Sequence, residues 1–334
     1  MSSLRKLIIV SLAAIGLLDG VQAQCLNEVA ANNPNVRTMT SNSTTFLVPV
    51  NKTAVQAALD AFYGKSLTGQ SNVQLLPLPS SDKSLFPQGF PSDQHPVLAN
   101  AGLTDDIRMA VAQIDGPLLA GQIIVPFVKR YDSQTGTVLQ AQLNGYMAGP
   151  NNNQIAGLVP STVSTVIEGF PERLGQFSPA AAAYMLNGNT LSNKVAWAVL
   201  RNPITGPGVY IESADFQYIS GKLKTTTVKL FKYMLNQPAI LSGAIGTLDS
   251  KLCQRNQAYF NNDTSTIYPR VGNVTLGPAA DGIAPQTTGT LQSAAPGGVG
   301  VFLKVEGFSA CAQGVGYNPE DCDAASQNVD KTAL

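Results

Sequence analysis

Histidine is almost missing, for His95 is the only one in 334 residues. Histidine-based metal sites and the His–carboxylate facial triad need at least two, which excludes zinc hydrolases and the common non-haem iron sites. A serine or cysteine hydrolase would have to use His95 as its base, and no Gly-X-Ser-X-Gly turn exists to present a nucleophile to it. Pro96 follows His95 and disfavours helix there, so His95 reads as a surface-turn residue. Charge is scarce too, at 13% of residues, and balanced, with 21 basic and 21 acidic side chains. Such a chain has no electrostatic footprint for nucleic acid or an anionic membrane. No phosphate loop and no Gly-X-Gly-X-X-Gly turn is present. No cofactor and no metal is implied. Beyond the first two dozen residues no apolar run is long enough for a membrane span, and Asn328–Lys331 is too polar for a lipid-anchor signal.

What is present points to the secretory pathway. Arg5 and Lys6 precede an apolar run from Leu7 to Leu18, and Val21-Gln22-Ala23 puts small residues before Gln24. Residues 1–23 therefore read as a signal peptide, cleaved before Gln24. Four Asn-X-Ser/Thr sequons, at Asn42, Asn51, Asn262 and Asn273, point to a glycoprotein. Four cysteines, Cys25, Cys253, Cys311 and Cys322, form an even set, which in an oxidising compartment implies two disulfides. Three pairings exist. A local staple, Cys311–Cys322, is preferred, leaving Cys25 to pair with Cys253. The acidic stretch Asn318–Asp323 reads as a solvated disulfide turn rather than a calcium loop. With 44% hydrophobic residues, the chain is long enough and apolar enough to bury a sizeable core.

Strand patterns dominate. Segments 122–132, 137–149, 193–202, 208–220, 222–235 and 300–312 are rich in Val, Ile, Tyr, Phe and Thr, with Gly, Pro and Asn between them. In 222–235 alternate residues give two mixed faces, suited to a barrel strand with a partly polar lumen. Helices are fewer. Thr53–Tyr63 carries Val55, Leu59 and Phe62 at helical spacing and stops at Gly64. Ser178-Pro179 looks like a cap and first turn for a second helix, Ala180–Leu186.

The segment Ile167-Glu168-Gly169-Phe170-Pro171-Glu172-Arg173-Leu174-Gly175 carries the most specific signal. It resembles the active-site segment of the acetoacetate decarboxylase family, in which an Arg-Glu pair and two further residues precede Gly-Phe-Pro-Lys-Lys-Leu. Gly169, Phe170, Pro171 and Leu174 fit. In that family the first lysine forms a Schiff base with a β-keto acid and the second lowers its pKa. Here Arg173 keeps the second positive charge, but Glu172 stands in the nucleophile's place. Thr165 and Val166 replace the upstream Arg-Glu pair. A carboxylate cannot condense with a ketone, so the resemblance implies the fold without its founding chemistry.

On that resemblance, the expected fold is mainly β: an antiparallel acetoacetate decarboxylase-like barrel with a few helices, stapled by disulfides. Residues 24–45 would form an N-terminal extension, 46–312 the barrel with a long loop at 277–298, and 313–334 a cysteine-containing tail. The resemblance also implies a chamber inside the barrel for a small keto acid or related carbonyl compound. Glu172 would be its general acid/base and Arg173 its carboxylate or enolate anchor, with Glu168 and Phe170 as ligand contacts. The plain alternative makes Glu172 and Arg173 an exposed ion pair. Two rival functions stay open: a non-catalytic barrel that binds small hydrophobic molecules, and a structural secreted glycoprotein without a ligand.

Overall fold

Nine strands follow one another around a closed ring in the order of the chain. They are β1 (Arg37–Asn51), β2 (Gln94–Met109), β3 (Leu118–Arg130), β4 (Leu139–Ala148), β5 (Glu172–Ser178), β6 (Thr190–Ala198), β7 (Val209–Ser220), β8 (Tyr268–Leu276) and β9 (Val301–Gly316). Each pairs with the next, and β9 closes on β1 with Arg37 opposite Gly316. The structure is a computed structural model and describes residues 25–109, 112–114, 116–198, 209–242, 252–261, 265–277 and 291–334. The expected signal peptide, Asn262 and most of the expected loop 277–298 lie outside the described residues. Among the described residues no helix is long and apolar enough to cross a membrane.

The lumen of the ring is packed solid. Every strand sends a side chain into one buried cluster: Phe46, Ala101, Ile123, Leu143, Phe177, Val195, Phe216, Val274 and Val305, in β1, β2, β3, β4, β5, β6, β7, β8 and β9 respectively. Contacts between strands that are not neighbours show that this cluster spans the interior. Phe46 of β1 lies 6.0 Å from Phe216 of β7, and Asn193 of β6 donates to the Ala101 carbonyl of β2 at 3.3 Å. Thr44 bridges Tyr218 and Ser309 inside the ring at 2.9 and 2.8 Å, so even the buried hydroxyls are paired. The expected partly polar, ligand-holding lumen is thus replaced by a filled one.

Helix α1 (Lys52–Tyr63) forms as its spacing predicts. Asn51 caps it by accepting from the Thr53 amide, Gly64 at φ 74° ends it, and Val55, Leu59 and Phe62 are buried. Helix α2 (Gln154–Thr162) runs on through a wide turn at Val163–Ile167 and carries the chain from β4 back to the start of β5. As a result β4 and β5 pair in parallel, with Gly145 opposite Glu172. A parallel pair needs such a crossover, and it makes the ring mixed rather than purely antiparallel. Helix α3 (Val228–Leu235) covers the outer face of the barrel and buries Leu230, Phe231 and Met234.

Several expectations are corrected. Segment 222–235 is not a strand. Its apolar residues Leu230, Phe231 and Met234 recur at helical spacing, and Thr227 caps the helix by accepting from the Leu230 amide at 3.1 Å. Ahead of it, the Glu306 carboxylate receives the amides of Lys224, Thr225 and Thr226 and so uses up a strand's donors. Segment 180–186 is not a helix either: after Ser178 the chain bends, and Met185–Asn187 forms a hairpin with Thr190–Ser192 around Gly188 at φ 60°. β1 begins at Arg37, so the expected extension supplies half of a barrel strand, and β9 reaches Gly316 in the expected tail. His95 is not at the surface. It is fully buried in β2, its Nε2 sits 2.8 Å from the Pro126 carbonyl, and burial pushes its pKa down to about 4.

The disulfides are also re-paired. Cys25 joins Cys311, and Cys253 joins Cys322. Cys311 sits in β9 opposite Asn42, within bonding distance of Cys25 in the N-terminal segment. Cys322 opens helix α4 (Cys322–Gln327), beside the short strand Leu252–Gln254. Nearness in sequence, which favoured Cys311–Cys322, gives way to the run of β9 between them.

Candidate functional site

The strand registers build a site on the outer face of the barrel. Thr45, Asn100, Gln122, Gly145 and Glu172 stand opposite one another in one row across β1, β2, β3, β4 and β5. The next row is Ser43, Gly102, Ala120 and Met147. These side chains alternate with the lumen-facing ones, so they point outward. Small residues in the second row leave a hollow between the sheet, α2 and the segment Ala258–Phe260. It is a cavity of about 370 Å³ whose walls include Gln122, Gln142, Glu168, Phe170, Glu172 and Phe308. A second depression, of about 530 Å³, lies outside by Asp105, Asp106 and Arg108. There Arg108 is already forked on Asp106 at 2.6 and 2.8 Å.

The segment found in sequence forms one wall. Gly169 has φ 80°, a left-handed turn that lets the chain leave the wide turn after α2. Its carbonyl accepts from the Ser242 amide at 2.9 Å, the Phe170 amide donates to Ser164, and the Pro171 carbonyl accepts from the Gly145 amide at 3.0 Å. Thr165 Oγ1 donates to the Glu172 carbonyl at 2.8 Å. With its backbone so held, the Glu172 carboxyl enters the cavity above Gly145. A Cβ on Gly145 would lie 2.4 Å from that carboxyl, so glycine is what makes room for it.

Two amides grip one oxygen of Glu172: Gln142 Nε2 at 2.8 Å and Gln122 Nε2 at 3.4 Å. Loss of water around the carboxyl outweighs them and raises the Glu172 pKa to about 7, with Glu168 adding to the rise and Arg37 opposing it. Near neutral pH the group is therefore divided between acid and carboxylate. That is the range in which a carboxyl exchanges protons most effectively.

The expected partner is elsewhere. Arg173 follows Glu172 along β5, so its side chain leaves the opposite face of the sheet and does not line the cavity. Glu168 does line it, paired with Arg37. Arg37 also donates to Asn256 Oδ1 at 3.1 Å, and Ser164 Oγ donates to Glu168 at 3.2 Å. Phe170 lines the cavity and packs with Ala239 and Leu241. Residues missed in the sequence are Arg37, Asn100, Gln122 and Gln142. Gln122 and Gln142 left a trace, as polar residues inside otherwise apolar runs, whereas Arg37 left none. Among the described residues no group of three or more His, Cys, Asp or Glu side chains is placed to hold a metal ion.

No family model and no curated protein matches the chain. Solved structures similar to it include the enduracididine biosynthesis enzyme MppR complexed with pyruvate, at 10% identity and a TM-score of 0.47, covering 91% of this chain and 94% of that one. The same enzyme complexed with the condensation product of pyruvate and imidazole 4-carboxaldehyde is similar at 9% identity and a TM-score of 0.48, covering 86% and 90%. An acetoacetate decarboxylase-like enzyme from Sphingomonas wittichii RW1 is similar at 8% identity and a TM-score of 0.41, covering 86% and 92%.

Proposed function

We propose that this chain is a secreted glycoprotein that binds a small carbonyl compound, such as a keto acid, lactone or polyketide-type fragment, in the outer cavity and moves a proton on it with Glu172. The carrying observation is a carboxyl poised near neutrality, held by two amides in a largely apolar cavity. As carboxylate, Glu172 takes a proton from the carbon beside the carbonyl, and the electrons of that C–H bond pass to the carbonyl oxygen. The amide donors of Gln122 and Asn100, in the same row, face the developing charge. As acid, Glu172 returns the proton. Arg37, rather than Arg173, is the cation on this wall. The Schiff-base route has no lysine at position 172.

Solvent-deuterium exchange tests this directly. A ligand found by thermal shift among ketones, lactones and keto acids is incubated in D₂O and followed by mass spectrometry. Wild type incorporates deuterium beside the carbonyl, and Glu172→Gln slows incorporation at least about a hundredfold, the usual scale of general acid–base catalysis. Exchange at the wild-type rate in the variant refutes the assignment. Binding without exchange in either protein supports the second reading, a non-catalytic carrier, which the apolar walls favour.

Glycosylation is expected to be selective. Asn51 and Asn273 are exposed, while Asn42 is half-buried in β1 between β9 and β2. Asn51 caps α1 through its Oδ1, which leaves its nitrogen for a sugar. Glycopeptide mapping of the secreted protein should find Asn51 and Asn273 occupied and Asn42 bare. A fully occupied Asn42 contradicts the placement of β1 in the middle of the sheet.

A further inference from the structure

We infer that the ligand of this cavity is an uncharged amphiphile: a carbonyl head at the Glu172 row and an unbranched apolar tail that runs over Ser43, Gly102 and Ala120 and out past Val159. The inference rests on the proposed carbonyl-binding role and narrows its chemistry. Three observations carry it.

The first concerns charge. Arg37 is the sole basic residue among the described residues that line the cavity. Its charge is already paired, because Nη1 donates to Glu168 and Nη2 to Asn256, although the buried Nε has no hydrogen-bond partner among the described residues. A ligand carboxylate would have to displace Glu168, and it would enter a space that already holds Glu172. Like charges in a poorly hydrated cavity disfavour one another strongly. The resemblance suggests a keto acid, whereas this wall rejects one.

The second concerns shape. From the Glu172 row toward the free end of β2, the outward residues are Gly102 and Thr104, flanked by Ser43, Ser41, Ala120 and Leu118. That floor is narrow in side-chain volume and cannot easily be otherwise at Gly102, where a Cβ would stand 2.2 Å from the Asn42 carbonyl oxygen. The hollow is therefore elongated along the strands, away from the polar row.

The third concerns the exit. Beyond Thr104 the wall turns apolar, with Ile107, Met109, Ile114 and Val159. Met109 is 51% exposed and Val159 68%, and the next turn of α2 adds Ile155 at 75%. Contiguous exposed apolar residues at the mouth of a cavity mark a ligand-binding surface more often than a solvent face. Single exposed apolar residues need no explanation, but Met109 and Val159 both line this one cavity, and Ile155 lies one turn from Val159 along α2.

The test titrates the full secreted protein with the 2-alkanones from 2-pentanone to 2-undecanone, and with the 2-oxo carboxylates of equal length, by calorimetry. Affinity for the ketones should rise two- to fourfold per added methylene, as buried CH₂ groups dictate, and each carboxylate should bind at least about tenfold more weakly than its ketone. Val159→Asp, at an exposed position, should cut the ratio of long-chain to short-chain affinity at least fivefold. Ala120→Leu, which fills the floor, should do the same, with an unchanged melting temperature as the check on folding. Ketone affinities that stay flat with length, carboxylates that bind as tightly as ketones, or a Val159→Asp ratio equal to wild type each overturn the inference. The proton-transfer reading is judged separately, by deuterium exchange on 2-pentanone. Exchange with a flat length series defeats the tail alone, and a rising series without exchange defeats the chemistry alone.

Discussion

At pH 8 the Glu172→Gln protein melts on the order of 5–10 °C above wild type, and at pH 4 the two melt together. The reason is the cost of ionising Glu172 in its cavity. Its carboxyl titrates at about 7 when folded, against an ordinary value of 4.5. Below 4.5 it is protonated in both states and costs nothing. As pH rises through 4.5 toward 7 the unfolded chain loses its proton first, and stability falls by ~3 kcal/mol in all. Glutamine avoids that cost and keeps an oxygen for the Gln142 and Gln122 amides.

His95 works in the opposite sense. Its folded pKa of about 4 lies below the ordinary 6.5, driven by burial with a smaller push from Lys52. Its contribution is complete above 6.5 and is lost as pH falls toward 4. Between 4.5 and 6.5 the two slopes offset each other in wild type. In Glu172→Gln the His95 slope stands alone, so stability should climb steeply from pH 4 to 6.5 and then level off. Calorimetric melts across this range check both statements. Equal melting at pH 8 would mean that Glu172 is well solvated and ordinary.

The second large effect lies in the disulfides. Cys253–Cys322 spans 69 residues and Cys25–Cys311 spans 286. Chain entropy alone assigns them ~4 and ~6 kcal/mol respectively, and measured losses commonly fall between ~2 and ~5 kcal/mol. The two should not behave alike. Cys253 and Cys322 are part of the main core, so replacing both by alanine should lower global stability by about 3–4 kcal/mol. Cys25 holds a short segment whose other anchors include Asn27 on the Asp106 carbonyl at 2.8 Å and the Val29 amide on Gln313 at 2.9 Å. Without Cys25–Cys311 the first loss should be local, read as faster amide exchange at residues 27–32 before the main transition moves. Peptide mapping under non-reducing conditions settles the pairing itself: a Cys311–Cys322 peptide would overturn it.

Much of the barrel could be read from the chain, and the reasons for the gaps are physical. Segments such as 122–132 and 137–149 announced themselves because both of their faces are largely buried and apolar residues outnumber the few polar ones. β1 did not, since its inward hydroxyls, Thr38, Thr40 and Thr44, look like loop composition until partners such as Tyr218 and Ser309 are in place. Pro49 in β1 and Pro96 in β2 hid both strands further. The two prolines face each other, beyond Leu47–Glu306 and Leu98–Ile124, where the ladders on their far sides have ended. A missing N–H costs no bond there. At the site, the Gly-Phe-Pro turn leads into Glu172, whose carboxyl enters a cavity on the outer face. Alternation along β5 then separates Arg173 from it, a consequence of a strand beginning at Glu172 that the motif alone did not contain.

The join between β1 and β9 has a consequence for how this protein is made. Every other pair in the ring can zip up as the chain emerges, because each strand meets its immediate successor. The last join cannot, since Arg37 must wait for Gly316. Until β9 has emerged the growing sheet has two raw borders, β1 at one side and the newest strand at the other, both apt to stick to foreign chains. The Cys25–Cys311 bond ties the N-terminal segment to the far side of that join, and oxidation there acts as a latch on the finished ring. A chain cut short before Val301 would keep both borders for life, and its fate would be aggregation or disposal rather than a smaller barrel.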